Sequence, residues 1–312
     1  MSSASASSNS PERCGGLPQA CERPLGGPRS TRSDKRGGEP VGVFDSSIGG
    51  LSVLQALQAA LPSEHFVYLD DAGHAPYGER GEAYVMGRAR AITAYLREVF
   101  GIKALVIACN TATMAAVAQL RAEHPDLIIV GVEPGLKPAA LASKTKRVGV
   151  IGTRGTVTSA KFDALQRSLQ DQAEFIVQPC DGLADAISRS VLSQDESKTV
   201  ALCAHYISAM GRFGSNPGEI DTLVLGCTHY IFAQVQLQAL VGPEVQILST
   251  GEPVARRTRH LLEANQMLAP DGPGRVQLVT SGETAVLQAA ARRWLDFQTE
   301  DATHWATCAD RL

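Results

Sequence analysis

The sequence predicts an α/β protein of two related halves, each built on a mainly parallel sheet. Three observations carry that reading. From Val41 onward, short apolar runs alternate with helix-length amphipathic stretches, the pattern of βαβ units. The 312 residues are 44% hydrophobic but only 5% aromatic, with mostly Ala, Val and Leu as the apolar content. That mix favours α/β over an aromatic-rich sandwich. Two pairs of segments also recur in the same order. Val41-Gly42-Val43-Phe44-Asp45-Ser46 resembles Val148-Gly149-Val150-Ile151-Gly152-Thr153. Leu105-Val106-Ile107-Ala108-Cys109-Asn110-Thr111 resembles Leu223-Val224-Leu225-Gly226-Cys227-Thr228-His229. Such ordered recurrence marks a duplication, in which each half supplies a strand with a hydroxyl-bearing turn and a later strand ending in cysteine.

The elements follow in order. Residues 1–40 contain 19 Ser, Gly or Pro and no Val, Ile or aromatic residue. They cannot bury enough apolar surface to offset their ordering entropy and are expected to be a disordered extension. Val41–Asp45 reads as a strand, and Gly49-Gly50 opens a helix through Ala60. Phe66–Asp70 is a strand, and after the turn Pro76-Tyr77-Gly78 a long helix runs to Phe100. Ala104–Cys109 is a strand followed by a helix from Thr111 to Glu123. Leu127–Val132 and Arg147–Ile151 are strands, while Lys161–Gln170, Ala184–Leu192 and Ser197–Arg212 have helical spacing. Leu223–Cys227 is a strand with a helix from Ile231 to Leu240. Val245–Leu248, a helix to Glu263, the strand Arg275–Thr280 and a helix from Glu283 to Phe297 complete the chain. The expected division is 41–135 plus 247–300 as a first α/β domain and 136–246 as a second.

Composition narrows the function. A formal net charge of −3 gives no broad electrostatic attraction for nucleic acid. No apolar run approaches the roughly 18–20 residues of a membrane span, and the N-terminus has no signal-peptide core, so a cytoplasmic protein is expected. The seven cysteines are odd in number, irregularly spaced and without a CxxC pair. That argues against a disulfide framework or a structural zinc site. A homodimer is compatible with the sequence.

Cys109 and Cys227 stand out. Each ends an apolar strand just before a helix, and in open α/β sheets ligands bind beyond the carboxyl ends of the strands. A helix N-terminus there favours a thiolate and a substrate carboxylate alike. A single cysteine at such a place reads as a small core hydrophobe. Two at matching places in a repeat, each followed by polar side chains, read as functional. Cys14, Cys21 and Cys308 lie in terminal segments, Cys203 reads as core, and Cys180 follows Pro179 at a strand end without a role assigned. Asp45-Ser46 ends the first strand; it fits a helix cap or an acid and a hydroxyl beside the other strand ends. Asp70-Asp71 alone reads as a surface turn. His229 is either structural or an acid–base partner. Neither a dinucleotide nor a P-loop glycine motif is present.

Two cysteines facing one cavity from two half-domains suit racemisation or epimerisation. One base takes a proton from one face of a carbon, and a conjugate acid returns it on the other; a thiol of ordinary pKa about 8.5 serves as either. A hydrolase needs only one nucleophile.

At these residues the sequence resembles the cofactor-independent aspartate/glutamate racemase family. The matching motifs are Asp45-Ser46-Ser47-Ile48-Gly49-Gly50, Pro76-Tyr77-Gly78, Ala108-Cys109-Asn110-Thr111-Ala112, Gly131-Val132-Glu133-Pro134, Gly226-Cys227-Thr228-His229-Tyr230 and Thr280-Ser281-Gly282. The histidine after Gly226-Cys227-Thr228 points to the glutamate branch. The resemblance implies two pseudosymmetric α/β domains with the active site in the cleft between them. It implies Cys109 and Cys227 as acid–base catalysts, Cys109 acting on the D-enantiomer and Cys227 on the L-enantiomer, assisted by Asp45 and His229. Asp45, Ser46, Tyr77, Gly78, Asn110, Thr111, Thr228 and His229 would hold the substrate. The substrate would be glutamate, with neither pyridoxal phosphate nor metal, and D-glutamate would feed peptidoglycan synthesis. The sequence departs from the family where Ser47 replaces the usual glycine. It departs again at Cys180-Asp181-Gly182-Leu183-Ala184-Asp185, where a glutamate is common, and at Ser249-Thr250-Gly251 in place of Asp-Ser-Gly. The alternatives are a racemase of aspartate or another amino acid, a non-catalytic regulatory protein on the same fold, and a one-cysteine decarboxylase or isomerase.

Overall fold

Residues 36–305 are described in a computed structural model, and among them ten strands form two parallel sheets. The strands are β1 (Val41–Asp45), β2 (Phe66–Asp70), β3 (Ala104–Ile107), β4 (Ile128–Gly131), β5 (Arg147–Gly152), β6 (Glu174–Pro179), β7 (Thr222–Gly226), β8 (Gln246–Leu248), β9 (Val276–Thr280) and β10 (Thr303–His304). The first sheet has the order β10-β9-β2-β1-β3-β4, the second β6-β5-β7-β8. The run β2-β1-β3-β4 therefore recurs as β6-β5-β7-β8, strand for strand, which is the duplication that the recurring segments imply. Every pairing is parallel, so helices cross over between strands and cover both faces of each sheet.

The central strands β1, β2, β3, β5 and β7 read as largely apolar runs because both faces are buried. In the first sheet Val41, Val43, Tyr68 and Val106 point to one face, and Phe44, Leu69, Leu105 and Ile107 to the other. In the second, Ile151, Leu223 and Leu225 face one core and Val148, Val150 and Val224 the other. The halves are joined by the helix Thr284–Trp294, whose Trp294 stacks on Phe232 with ring centroids 3.8 Å apart. Arg293 of the same helix donates to the Ser190 carbonyl at 3.1 Å.

Several boundaries differ from the sequence expectation. β3 stops at Ile107 and β7 at Gly226, so Cys109 and Cys227 lie just beyond the strands. The helix before β3 is α-helical over Glu82–Tyr95 and then widens to a π-turn over Leu96–Phe100. It ends at Gly101, whose φ of +64° suits glycine. The short helix Leu136–Ala142 lies outside the expected elements, and the strand expected to end at Pro179 is β6, which begins at Glu174. A border drawn between 246 and 247 falls inside β8, which pairs with β7. The extension expected over residues 1–40 lies outside the described residues as far as 35. Its last residues are held by the fold: the Gly37 carbonyl accepts from Lys103 Nζ at 2.6 Å, and the Pro40 carbonyl from the Lys103 amide at 3.0 Å. Cys14, Cys21 and Cys308 also lie outside the described residues. Among the described residues no helix is long and apolar enough to cross a membrane.

Candidate active site

The carboxyl ends of β1, β3, β5 and β7 border one cleft of about 440 Å³. All ten residues singled out from the sequence line it: Asp45 and Ser46 after β1, Tyr77 and Gly78 after the cis Ala75–Pro76 bond, Cys109, Asn110 and Thr111 after β3, and Cys227, Thr228 and His229 after β7. The two thiols come from equivalent strands of the two sheets.

Cys109 is the N-cap of the helix Asn110–Glu123, where its Sγ accepts the Ala112 N–H at 3.4 Å. The same sulfur lies 3.6 Å from Ser46 Oγ, whose hydroxyl can donate to the thiolate. These amide and hydroxyl neighbours favour a thiolate, but burial and the nearby Asp45 carboxyl outweigh them, and the Cys109 pKa is pushed up to about 12. Cys227 begins the 3-10 turn Thr228–Ala233 and stands 3.8 Å from His229 Nδ1. Burial likewise raises its thiol pKa well above the ordinary range. Burial lowers that of the His229 imidazole, which favours the neutral ring. His229 Nε2 is buried without a hydrogen-bond partner.

Asp45 ties the halves together at the base of the cleft. Its Oδ1 accepts the Ser46 amide at 2.6 Å, and its Oδ2 accepts Thr228 Oγ1 from the opposite half at 2.8 Å. A second bridge runs between hydroxyls, with Thr111 Oγ1 3.0 Å from Thr153 Oγ1. Thr153 also lines the cleft. It follows β5 as Ser46 follows β1, so the repeat was the signal that could have found it. Asn110 is buried, and neither its side-chain oxygen nor its nitrogen has a partner. An amide so placed is costly unless a ligand satisfies it, and it offers a donor to a carboxylate.

Gly49 and Gly78 allow close approach. A Cβ on Gly49 would fall 2.3 Å from His229 Nδ1, and one on Gly78 would fall 2.8 Å from Thr153 Cβ. Tyr77 is held by its hydroxyl donating to Asp71 Oδ2. Asp71 and Asp70 correct the surface-turn reading, being 0% and 1% exposed. Asp71 is satisfied by the Arg88 fork, at 2.9 Å from Nε and 2.8 Å from Nη2, and by Ser281 Oγ at 2.7 Å. These partners lie 17 and 210 residues away, beyond the reach of a local pattern. Cys180 and Cys203 are buried in the core of the second half. Among the described residues no group of three His, Cys, Asp or Glu side chains is arranged to hold a metal ion.

The glutamate racemase of Pseudomonas entomophila is 46% identical over 236 residues, covering 76% of this chain and 86% of that protein. That of Stutzerimonas stutzeri is 42% identical over 262 residues, covering 80% of this chain and 96% of its own length. Among solved structures, a glutamate racemase isoform from Bacillus anthracis superposes with a TM-score of 0.76 at 28% identity, covering 86% of this chain and 98% of that one. The Escherichia coli glutamate racemase, solved with L-glutamate and the activator UDP-MurNAc-ala, gives a TM-score of 0.73 at 28% identity with the same coverage. Fold and relatives together define an α/β racemase, an isomerase. The chain belongs to the Asp/Glu/hydantoin racemase family, whose model matches residues 41–258.

Proposed function

We propose that this enzyme interconverts L- and D-glutamate by a two-base mechanism in which Cys109 and Cys227 are the acid–base pair. The observation that carries the reading is two thiols on one cleft, each just past the equivalent strand of a duplicated sheet. The glutamate racemases among its relatives support glutamate as substrate.

In one direction the Cys109 thiolate removes the α-proton of D-glutamate. The C–H bond breaks, an S–H bond forms, and the electron pair stays on the α-carbon, delocalised into the carboxylate. The Cys227 thiol then gives its proton to the opposite face, leaving L-glutamate and a Cys227 thiolate. The reverse direction exchanges the roles. Burial raises both thiols above their ordinary range, so the base forms with substrate bound, when the substrate ammonium adds a positive charge beside it and the thiol's proton passes to Asp45 on the Cys109 side or to the neutral His229 on the Cys227 side. Asp45 and His229 assist the proton transfers. Ser46, Tyr77, Gly78, Asn110, Thr111 and Thr228 hold the ammonium and carboxylates. The chemistry calls on neither pyridoxal phosphate nor metal. The D-glutamate would serve peptidoglycan synthesis in the cytoplasm.

Circular dichroism of the protein with each enantiomer tests the substrate; glutamate that holds its signal while aspartate loses its own would refute it. The two-base mechanism is tested by Cys109→Ala and Cys227→Ala. Each is expected to lose about 10²–10⁴-fold in racemisation. Cys227→Ala should still exchange solvent deuterium into D-glutamate only, and Cys109→Ala into L-glutamate only. Undiminished racemisation in either variant would end the two-base reading, and equal exchange from both enantiomers would end the facial assignment.

A further inference from the structure

We propose that Arg189 captures the anionic substrate at the mouth of the cleft and sets a preference for amino acids bearing a second carboxylate. The inference rests on the amino-acid site proposed above. Arg189 lies in the helix Leu183–Ser193, which borders the cleft with Asp185, Ser188, Arg189 and Leu192. Its side chain is 75% exposed, whereas Asp45 and both thiols are buried, so it stands at the solvent end.

The charge balance of the cleft makes this residue matter. Three carboxyl side chains line it, those of Asp45, Asp185 and Glu283, against Arg189 as the one Lys or Arg among the described lining residues. An amino acid with two carboxylates carries net negative charge, and without Arg189 it would meet only like charge on entry. Arg189 Nε donates to Asp185 Oδ1 at 2.9 Å, one helical turn away. Exposed pairs of this spacing are weak, so the guanidinium can leave Asp185 for an arriving carboxylate at little cost. Its planar fork matches that group, and a charged side chain at a cleft mouth acts chiefly on the rate of productive encounter.

The test uses the full chain with Arg189→Ala and Arg189→Lys, assayed for racemisation of D-glutamate at low and high ionic strength. Inhibition by D-glutamine, which has the same length without the second charge, is measured beside it. Arg189→Ala is expected to lower kcat/KM about tenfold at low salt, mainly through KM. The loss should shrink at about 0.5 M salt, where the Debye length falls to a few ångströms. Arg189→Lys should restore most of it, and D-glutamine inhibition should not change. Indifference of kcat/KM to Arg189→Ala at low salt would overturn the capture role, as would an equal weakening toward D-glutamine or a loss confined to kcat. A wild-type enzyme inactive on both glutamate enantiomers would instead overturn the functional reading, and the capture role with it.

Discussion

Asp70 sits directly beneath the cleft without lining it. The register sets it beside Asp45 of β1 on one side and Thr280 of β9 on the other. Thr280 Oγ1 donates to its Oδ2 at 2.9 Å, but Oδ1 is buried without a partner. Burial pushes its pKa up from 3.8 to about 7, against the Thr280 hydrogen bond and with help from the neighbouring Asp45 and Asp71 carboxyls. A carboxyl whose folded pKa is raised contributes stability that is fully present below about pH 4 and is lost as pH climbs through about 7. Integrated, that loss is roughly 3–5 kcal/mol. Asp70→Asn cannot ionise and keeps an oxygen for Thr280. Its melting temperature should exceed that of the wild type at pH 8 and match it or fall below at pH 4, since every other group is common to both proteins. A difference in melting temperature that stays constant over this range would refute the shift.

The elements that position the site were legible because each places its chemistry just after an unbroken apolar strand. Cys109, Asn110 and Thr111 follow β3, and Cys227, Thr228 and His229 follow β7, so sequence order alone grouped them. Only the end of β6 at Pro179 was legible, because it is an edge strand, half-exposed along Glu174–Pro179, and so lacks the apolar run of its neighbours. The helix Leu136–Ala142 is only seven residues long, too short for periodicity to register. Arg189 was invisible as a cleft residue because helix spacing pairs it with Asp185, the usual look of a solvated face. Gly49 precedes the helix Leu51–Ala60 in a 3-10 turn packed against the opposite half. A methyl group there would meet His229 Nδ1 at 2.3 Å and Thr228 Oγ1 at 2.5 Å, both cleft side chains rather than loose surface tips. Gly49→Ala should therefore cost about 1–3 kcal/mol of stability by overpacking. It should lower racemase activity more than a comparable change at Gly87, where a Cβ meets nothing within 4 Å. Equal effects of Gly49→Ala and Gly87→Ala on melting temperature and activity would contradict this.

Across the whole molecule, the N-terminal border of the fold is fixed by a buried ion pair far along the chain. Lys103 Nζ lies 2.6 Å from Glu64 Oε2, both side chains removed from water, and the Gly37 carbonyl completes its coordination. Two truncated proteins, one beginning at residue 36 and one at residue 41, isolate this contribution. The shorter loses the Gly37 and Pro40 acceptors and leaves a buried ammonium short of a partner, at a cost of about 1–3 kcal/mol. Denaturant unfolding should rank the longer protein as the more stable; equal midpoints would show that residues 36–40 are dispensable. The contact at Gly49 also constrains how the halves can move. There the backbone of one half meets Thr228 and His229 of the other with no room for a methyl group, and Asp45 and Ser52 hydrogen-bond to Thr228 beside it. Surfaces so close cannot slide past one another, because a lateral step of an ångström would drive backbone into imidazole. The junction pins the two halves to each other beside the cleft, so a change of shape at this one glycine is felt on both of its walls.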